Sequence, residues 1–536
     1  MKTILIGNNY YIRTMKKYIL PLMSIAMLMA MASCSSSDDA VAENKAVSNL
    51  VPMTFTATQE SNAGTRSALN NSNGVIWKTG DEISVFDAVG DGHNQRFTLT
   101  GDATEGIFSG EASSEATSFT AVYPYTDGAQ LKSDGSVSGI TLPAEQTATP
   151  NSFDPKAALM MAYSTDKSKL DFKNVVSLVK VTTDFPCKKI VLTAIYNIAG
   201  TGKLTYNNGE PSIALETNKS QTVTLKPASE DGVIDAGTYY IAICPLKDTR
   251  FSISFINSTD TKAYTKAYTK NVNTTFTFYR REIKNLGTFS ESGTSWTSTI
   301  ESNGNVKASQ QVDLGLTINQ GGKTYKVIFA KSNLTDKGLA EKETDYGDYF
   351  AWGAKEPWYL SFSGNNFTWK PGKPGGYIAA NAQFYNNGSY NRYTRNGDIL
   401  EPSDDAANVI LGGDWKLPTQ DIWKELKNVC STSSYIKAYF TPINGCKGCQ
   451  AMRIRGNIQY IFLPAAGHIA QTWFNSYGSK GYYWTGTAYG GELAWHLGID
   501  PDKSFNSAID AQSWYLRSWG YSVRPVRLVE VLESQQ

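Results

Sequence analysis

The stretch VPMTFTATQ, residues 51–59, alternates apolar and polar side chains, with Met53 and Phe55 on one side. A period of two is the mark of a half-buried strand. The same texture runs on through VIWKTGDEISVFD (75–87), where Thr79-Gly80-Asp81 reads as a turn between two short strands. It continues in FTAVYPY, VVSLVKVTTDF, KKIVLTAIYNI, GTYYIAICPL, FSISFINS and TTFTFYRREI, and KAYTKAYTK doubles one strand locally. Many short strands separated by turns predict β-sandwich domains. Composition agrees: aromatic residues reach 12% and charged residues only 18%, against about 25% charged in ordinary domains.

Beyond this region the texture changes. Residues 291–310 are rich in Ser, Thr and Asn, and predict a linker. Ten of the twelve tryptophans follow. LPTQDIWKELKNVC predicts a helix with Thr419 as N-cap and Ile422, Leu426 and Val429 on one face. A second helix is expected in PSDDAANVIL, where Asp404 and Asp405 suit the positive end of the helix dipole. Strands dominate from GYYWTGTAY to GYSVRPVRLV, so this part is α+β.

The N-terminal end reads as an export signal. Met15-Lys16-Lys17 is basic, and Ile19 to Ala32 is apolar. That run is shorter than the roughly 20 residues of a spanning helix, and Met15 is the expected start. In MAMASCSSSDD (29–39) the apolar run ends at Ala32-Ser33-Cys34, which resembles a lipobox. Residues 1–34 are thus expected to be a lipoprotein signal with Cys34 as the acylated residue, and 35–50 a tether. Several acyl groups hold a chain on a membrane where one binds marginally. Five cysteines remain, an odd number, and disulfide pairing cannot be read from them. Cys446 and Cys449 form a lone CxxC; a zinc site would need a second pair or histidines, with His468 the only near one. No metal and no cofactor is expected.

Two family resemblances follow from ordered motifs. Residues 51–290 carry GTRSAL, VIWKTGDEISVFD, FTAVYPY, ALMMAYS and FKNVVSLVKV in that order, and resemble the fimbrillin (Mfa-like) pilus subunits. The resemblance implies two fimbrillin-like β-sandwich domains, at 51–185 and 186–290, divided near Pro186. It also implies removal of the lipid segment and first strand by an arginine-specific protease, here between Arg66 and Ser67, followed by entry of a neighbouring subunit's strand. Residues 311–529 carry VDLGLTI, DYGDYFAWG, GGDWKLPTQDIW, IFLPAAG, GYYWTGT and GYSVRPVR, and look like a C-type-lectin-like domain related to formylglycine-generating-enzyme folds. The fold class expected is mainly β: two sandwiches, then an α+β C-type-lectin-like domain and a tail, 530–536.

The chemistry of catalysis is not visible. His93, His468 and His496 suggest no triad by spacing. The enzyme relatives' late cysteine pair has no counterpart, since Cys449 precedes the final strands. Asp500 and Asp502 read as a turn rather than a calcium site, and the EPN or QPD and WND motifs of sugar-binding C-type lectins are missing. Aromatic platforms for a sugar or protein ligand are more plausible, with Trp473, Tyr477, Tyr482 and Trp495 as candidates. Loop-borne Trp473 and Tyr477 are the pair expected to be exposed.

The function expected is therefore a non-enzymatic fimbrial subunit at the outer membrane and cell surface. With only EVLESQQ left to donate, it is read as a tip adhesin that accepts a donor strand. Its partners are other pilus subunits and a glycan or protein ligand on host or bacterial surfaces; the net charge of +1 gives no sign of nucleic acid. The alternative is a lipid-anchored surface glycan-binding lipoprotein that does not polymerise and uses the linker as a stalk.

Overall fold

The alternation at 51–59 becomes a ten-residue strand, Leu50–Gln59 (β1), with Phe55 and Ala57 fully buried. The computed structural model describes residues 50–60, 77–87, 93–268, 275–293 and 295–531. Cys34, Arg66 and Ser67 lie outside the described residues, as does most of the 530–536 tail. The protein is mainly β, as the strand periodicity predicts.

The first sheet closes on itself. Around it run β1, Lys169–Asn174, Met160–Ser164, Phe119–Tyr123, Glu82–Asp87, Asn94–Leu99 and Gly106–Ser113, which returns to β1. β1 pairs antiparallel with Gly106–Ser113, with Phe55 opposite Phe108, and parallel with Lys169–Phe172 through Thr56 to Gln59. The turn at Lys78–Asp81 forms as expected, with Gly80 in the left-handed region at φ +87°. Of the two strands expected around that turn, Glu82–Asp87 forms, and Trp77 makes a single bridge to Ala103.

The next sheets mix sequence from both sides of Pro186. Gln130–Leu131 and Val137–Leu142 extend the sheet of Ala199–Asn207 and Glu210–Ser220. Ser177–Thr183 lies between Gly237–Ile243 and Ile283–Phe289. One apolar core runs unbroken from Phe55 to Phe289. Pro186 therefore marks no break in the strand pairing. Periodicity gives a strand's faces but not its partners, and here the partners are distant in sequence.

The expected linker is built into the fold. Ser298–Glu301 adds a strand beside Lys262–Thr265. The Trp296 ring packs 5.6 Å from Phe255 and 5.7 Å from Phe289, and Ile300 is buried. Four apolar residues in an otherwise polar segment, Trp296, Ile300, Val306 and Ala308, are enough to dock it. Ser309 then donates from its backbone and hydroxyl to Asp260, at 2.8 and 2.6 Å.

In the C-terminal region, Gln311–Gln320 and Val526–Glu530 flank Lys323–Ala330, so the region's first and last described strands share one sheet. Helix α1 (Ala406–Leu411) is capped by Asp405, whose carboxylate accepts from Ala407 N, Asn408 N and Leu417 N. Helix α2 (Gln420–Thr432) buries Ile422, Leu426 and Val429, and also Trp423 and Cys430. Both helices lie where the sequence places them. No described helix is long and apolar enough to cross a membrane.

FSISFINS is a strand, Phe251–Asn257, but it is not half-buried: Ser252 is as hidden as its neighbours. The C-terminal region covers its polar face. Ser252 Oγ donates to Ile458 O at 2.8 Å, and Gln450 Nε2 donates to Gln221 Oε1 at 2.7 Å.

Arg524 is the buried hub of the last strands. Its guanidinium, with no exposed surface, donates to Asn333 Oδ1 (2.9 Å), Lys331 O (3.1 Å) and Phe462 O (2.7 Å). Arg524→Met leaves these buried acceptors without their donors. We expect a loss of about 3 kcal/mol or more, read as a lower denaturant midpoint; an unchanged midpoint would show the hub to be dispensable.

Candidate functional site

Two surfaces carry the features that a binding role needs. The first is the seat of β1. Phe55 packs 5.3 Å from Phe97 and 5.0 Å from Phe119, and Trp77 Nε1 donates to Ala57 O at 3.1 Å. Truncating a buried Phe costs about 3–5 kcal/mol, so β1 is an integral part of the core. Its end is tied by charge. The Glu60 carboxylate meets Arg280 at 2.8 and 3.0 Å and Arg281 at 3.0 Å. Burial raises the Glu60 carboxyl, but hydrogen bonds and charge from Arg280, with the charge of Arg281, outweigh it and hold it below the usual carboxylate value.

The second surface is aromatic and lies on the C-terminal region. The tip of the hairpin Tyr359–Ser363/Asn366–Trp369 meets the second strand of the hairpin His468–Ala470/Trp473–Asn475, where Phe474 N donates to Asn365 Oδ1 at 2.7 Å. Phe362, Phe474 and Tyr477 line a concavity of about 360 Å³ with Ser363, Gly364 and Asn365. Ring centroids are 5.5 Å apart for Phe362–Phe474 and 5.1 Å for Phe474–Tyr477. Tyr346 and Tyr349 back them at 5.1 Å from Tyr477 and Phe474. This edge-to-face packing fixes the rings against one another.

The four sequence candidates part company here. Tyr477, 62% exposed, belongs to the concavity. Trp473 is 61% exposed, and strand alternation puts it on the face opposite Phe474. Trp495 belongs to a different patch: its ring lies 5.0 Å from Tyr489, which stacks on Trp514 at 4.8 Å, and its Nε1 donates to Asn396 Oδ1. Tyr482 is half-buried among His468, His496 and Tyr521. Phe362 and Phe474 were not among the candidates; the alternating YLSFSGNNFTW (359–369) around a Gly-Asn turn is the signal that carries one of them.

No family model matches the sequence, and no curated protein matches it. Solved structures do. A Bacteroides uniformis protein named "putative cell adhesion protein" is 17% identical, with a TM-score of 0.30, covering 45% of this chain and 94% of its own. A fimbrial protein of Bacteroides ovatus is 10% identical, with a TM-score of 0.24, covering 89% of this chain and 99% of its own. A fimbrial assembly protein of Parabacteroides distasonis is 8% identical, with a TM-score of 0.20, covering 52% and 96%.

The remaining sequence candidates are accounted for locally. All five described cysteines are free thiols, and among the described residues no group of three or more His, Cys, Asp or Glu is placed to hold a metal ion. Asp502 pairs with Lys447 at 2.9 Å, and Asp500 lies 3.4 Å from Lys480 and 3.5 Å from Lys503. His468 stacks on Trp519 at 4.9 Å. Burial lowers His468 and His496 each to about 4.

A histidine held neutral in the fold but free to protonate when unfolded stabilises the fold above the unfolded value of about 6.5. That contribution is lost as pH falls from about 6.5 toward 4. The denaturant midpoint should drop between pH 7 and pH 4.5, and His496→Gln should lessen the drop; the same drop in both proteins would exclude His496 as its source.

Proposed function

We propose that this chain is a fimbrial subunit with an adhesin role, exported as an outer-membrane lipoprotein on Cys34 and matured by cleavage between Arg66 and Ser67. In this reading β1 leaves with the lipid, and a strand from a neighbouring subunit takes its place. The observation that carries the reading is the bonding of β1. It closes the sheet with a partner on each edge and fills its core with Phe55 and Ala57, yet it precedes the chain segment that holds Arg66. Removing such a strand exposes two unpaired edges and an apolar groove, the conditions for strand addition.

The C-terminal region is the ligand-presenting part, a C-type-lectin-like domain in this reading. Support comes from its first and last described strands sharing one sheet and from the aromatic concavity. A tip position belongs to the same reading; among the described strands, Val526–Glu530 pairs within its own sheet, with Val526 fully buried. The chain acts by binding and not by catalysis. A stalk role for residues 291–310 is disfavoured, because Trp296, Ile300 and Ser309 dock that segment.

Arg66→Ala should keep the chain lipid-bound and out of filaments sheared from cells, while the wild type enters them. The variant appearing in sheared filaments at wild-type level would contradict the processing step. Tyr477→Ala should weaken attachment up to about tenfold, since one exposed ring at ~0.5–1.5 kcal/mol amounts to at most roughly that factor. The unfolding midpoint should stay unchanged, and undiminished attachment would remove this face from the adhesive surface.

A further inference from the structure

Glu60 binds in a way that filling an apolar groove does not require. It is the first residue beyond β1, and its side chain is only 12% exposed. Its backbone N–H donates to Phe172 O at 2.9 Å, so the strand's course is already fixed there. The carboxylate is then gripped separately. Arg280 takes it with both terminal nitrogens, at 2.8 and 3.0 Å, and Arg281 adds a third bond at 3.0 Å. Asn174 N donates to it at 3.3 Å. A planar guanidinium fork on a carboxylate fixes direction and position as well as affinity.

The surroundings show what happens if Glu60 leaves. Arg280 also binds Glu210, which pairs with Lys173 at 3.2 Å. In this network three cations face two carboxylates. Without Glu60 they face one, and Arg281 loses its carboxylate while only 31% exposed. A half-buried cation without its partner is unfavourable. The vacated groove would therefore end in an anion-seeking site.

We propose that the Arg280–Arg281 turn reads a carboxylate on the strand that replaces β1. The inference rests on the strand-acceptor reading above. Its occupant is a strand of another subunit, running in the direction of β1. It carries an apolar side chain at the Phe55 position, a small one at the Ala57 position and an Asp or Glu three residues beyond the latter. A strand with the apolar pattern but no acid fills the groove, leaves Arg281 without a carboxylate, and leaves Arg280 to share Glu210 with Lys173. Subunits with similar apolar strands are thereby told apart.

The test uses the full chain, nicked once between Arg66 and Ser67 by an arginine-specific protease. Exchange of its β1 segment is followed with a fluorescent peptide of residues 50–60, LVPMTFTATQE, and with the same peptide ending in Gln. The Glu peptide should bind at least tenfold more tightly, and the preference should vanish in the nicked R280M/R281M protein. Equal binding of both peptides to the wild type would overturn the carboxylate reading and leave strand acceptance standing. Failure of both peptides to enter the nicked protein would overturn strand acceptance, and this inference with it.

Discussion

The seat of β1 is the constraint on which the rest of the molecule depends. Phe55 sits between Phe97 and Phe119, and Trp77 reaches Ala57 from across the core. Because the sheet closes through this one strand, its removal opens two edges at once. A closed sheet has no template for aggregation, whereas an open one recruits the next available strand. In the proposed reading, the same element keeps a precursor monomeric and, once lost, drives assembly. Glu60 adds a chemical label to what would otherwise be only a shape.

That core is not private to the first sheet. It runs on to Phe289, and the C-terminal region then seals the outer face of Phe251–Asn257 through Ser252, Gln221 and Gln450. Ser309 on Asp260 and Trp415 Nε1 on Asn303 O fasten the connecting segment to both sides. The aromatic concavity is accordingly held on a scaffold continuous with the strand seat. Load applied at a bound ligand would pass through packed sheets.

Much of this was legible in the sequence where one face of an element alternates cleanly. VPMTFTATQ, LPTQDIWKELKNVC and the Asp405 cap behave as their spacing predicts, because each depends on neighbours within a turn or two. Pairing was less legible. Val137–Leu142 joins strands some 60 residues later, and nothing in its alternation says so. The segment around Trp296 looked like a linker because its composition is polar, yet its few apolar residues dock it. At the candidate sites, exposure of Trp473 and Tyr477 followed from their loop-like context. The partition of Tyr477, Trp495 and Tyr482 among separate clusters did not, since it depends on which strands meet. Glu60 and Arg280 lie 220 positions apart, and each is unremarkable alone.

The most direct measurement is the mature N-terminus, by mass spectrometry of chain recovered from sheared surface material beside chain from intact cells. A start at Ser67 in the sheared fraction is expected, meaning that β1 and Glu60 are gone and the groove is open to another strand. A chain found in both fractions only with acylated Cys34 at its start would contradict strand replacement, and would leave a permanently anchored binding protein.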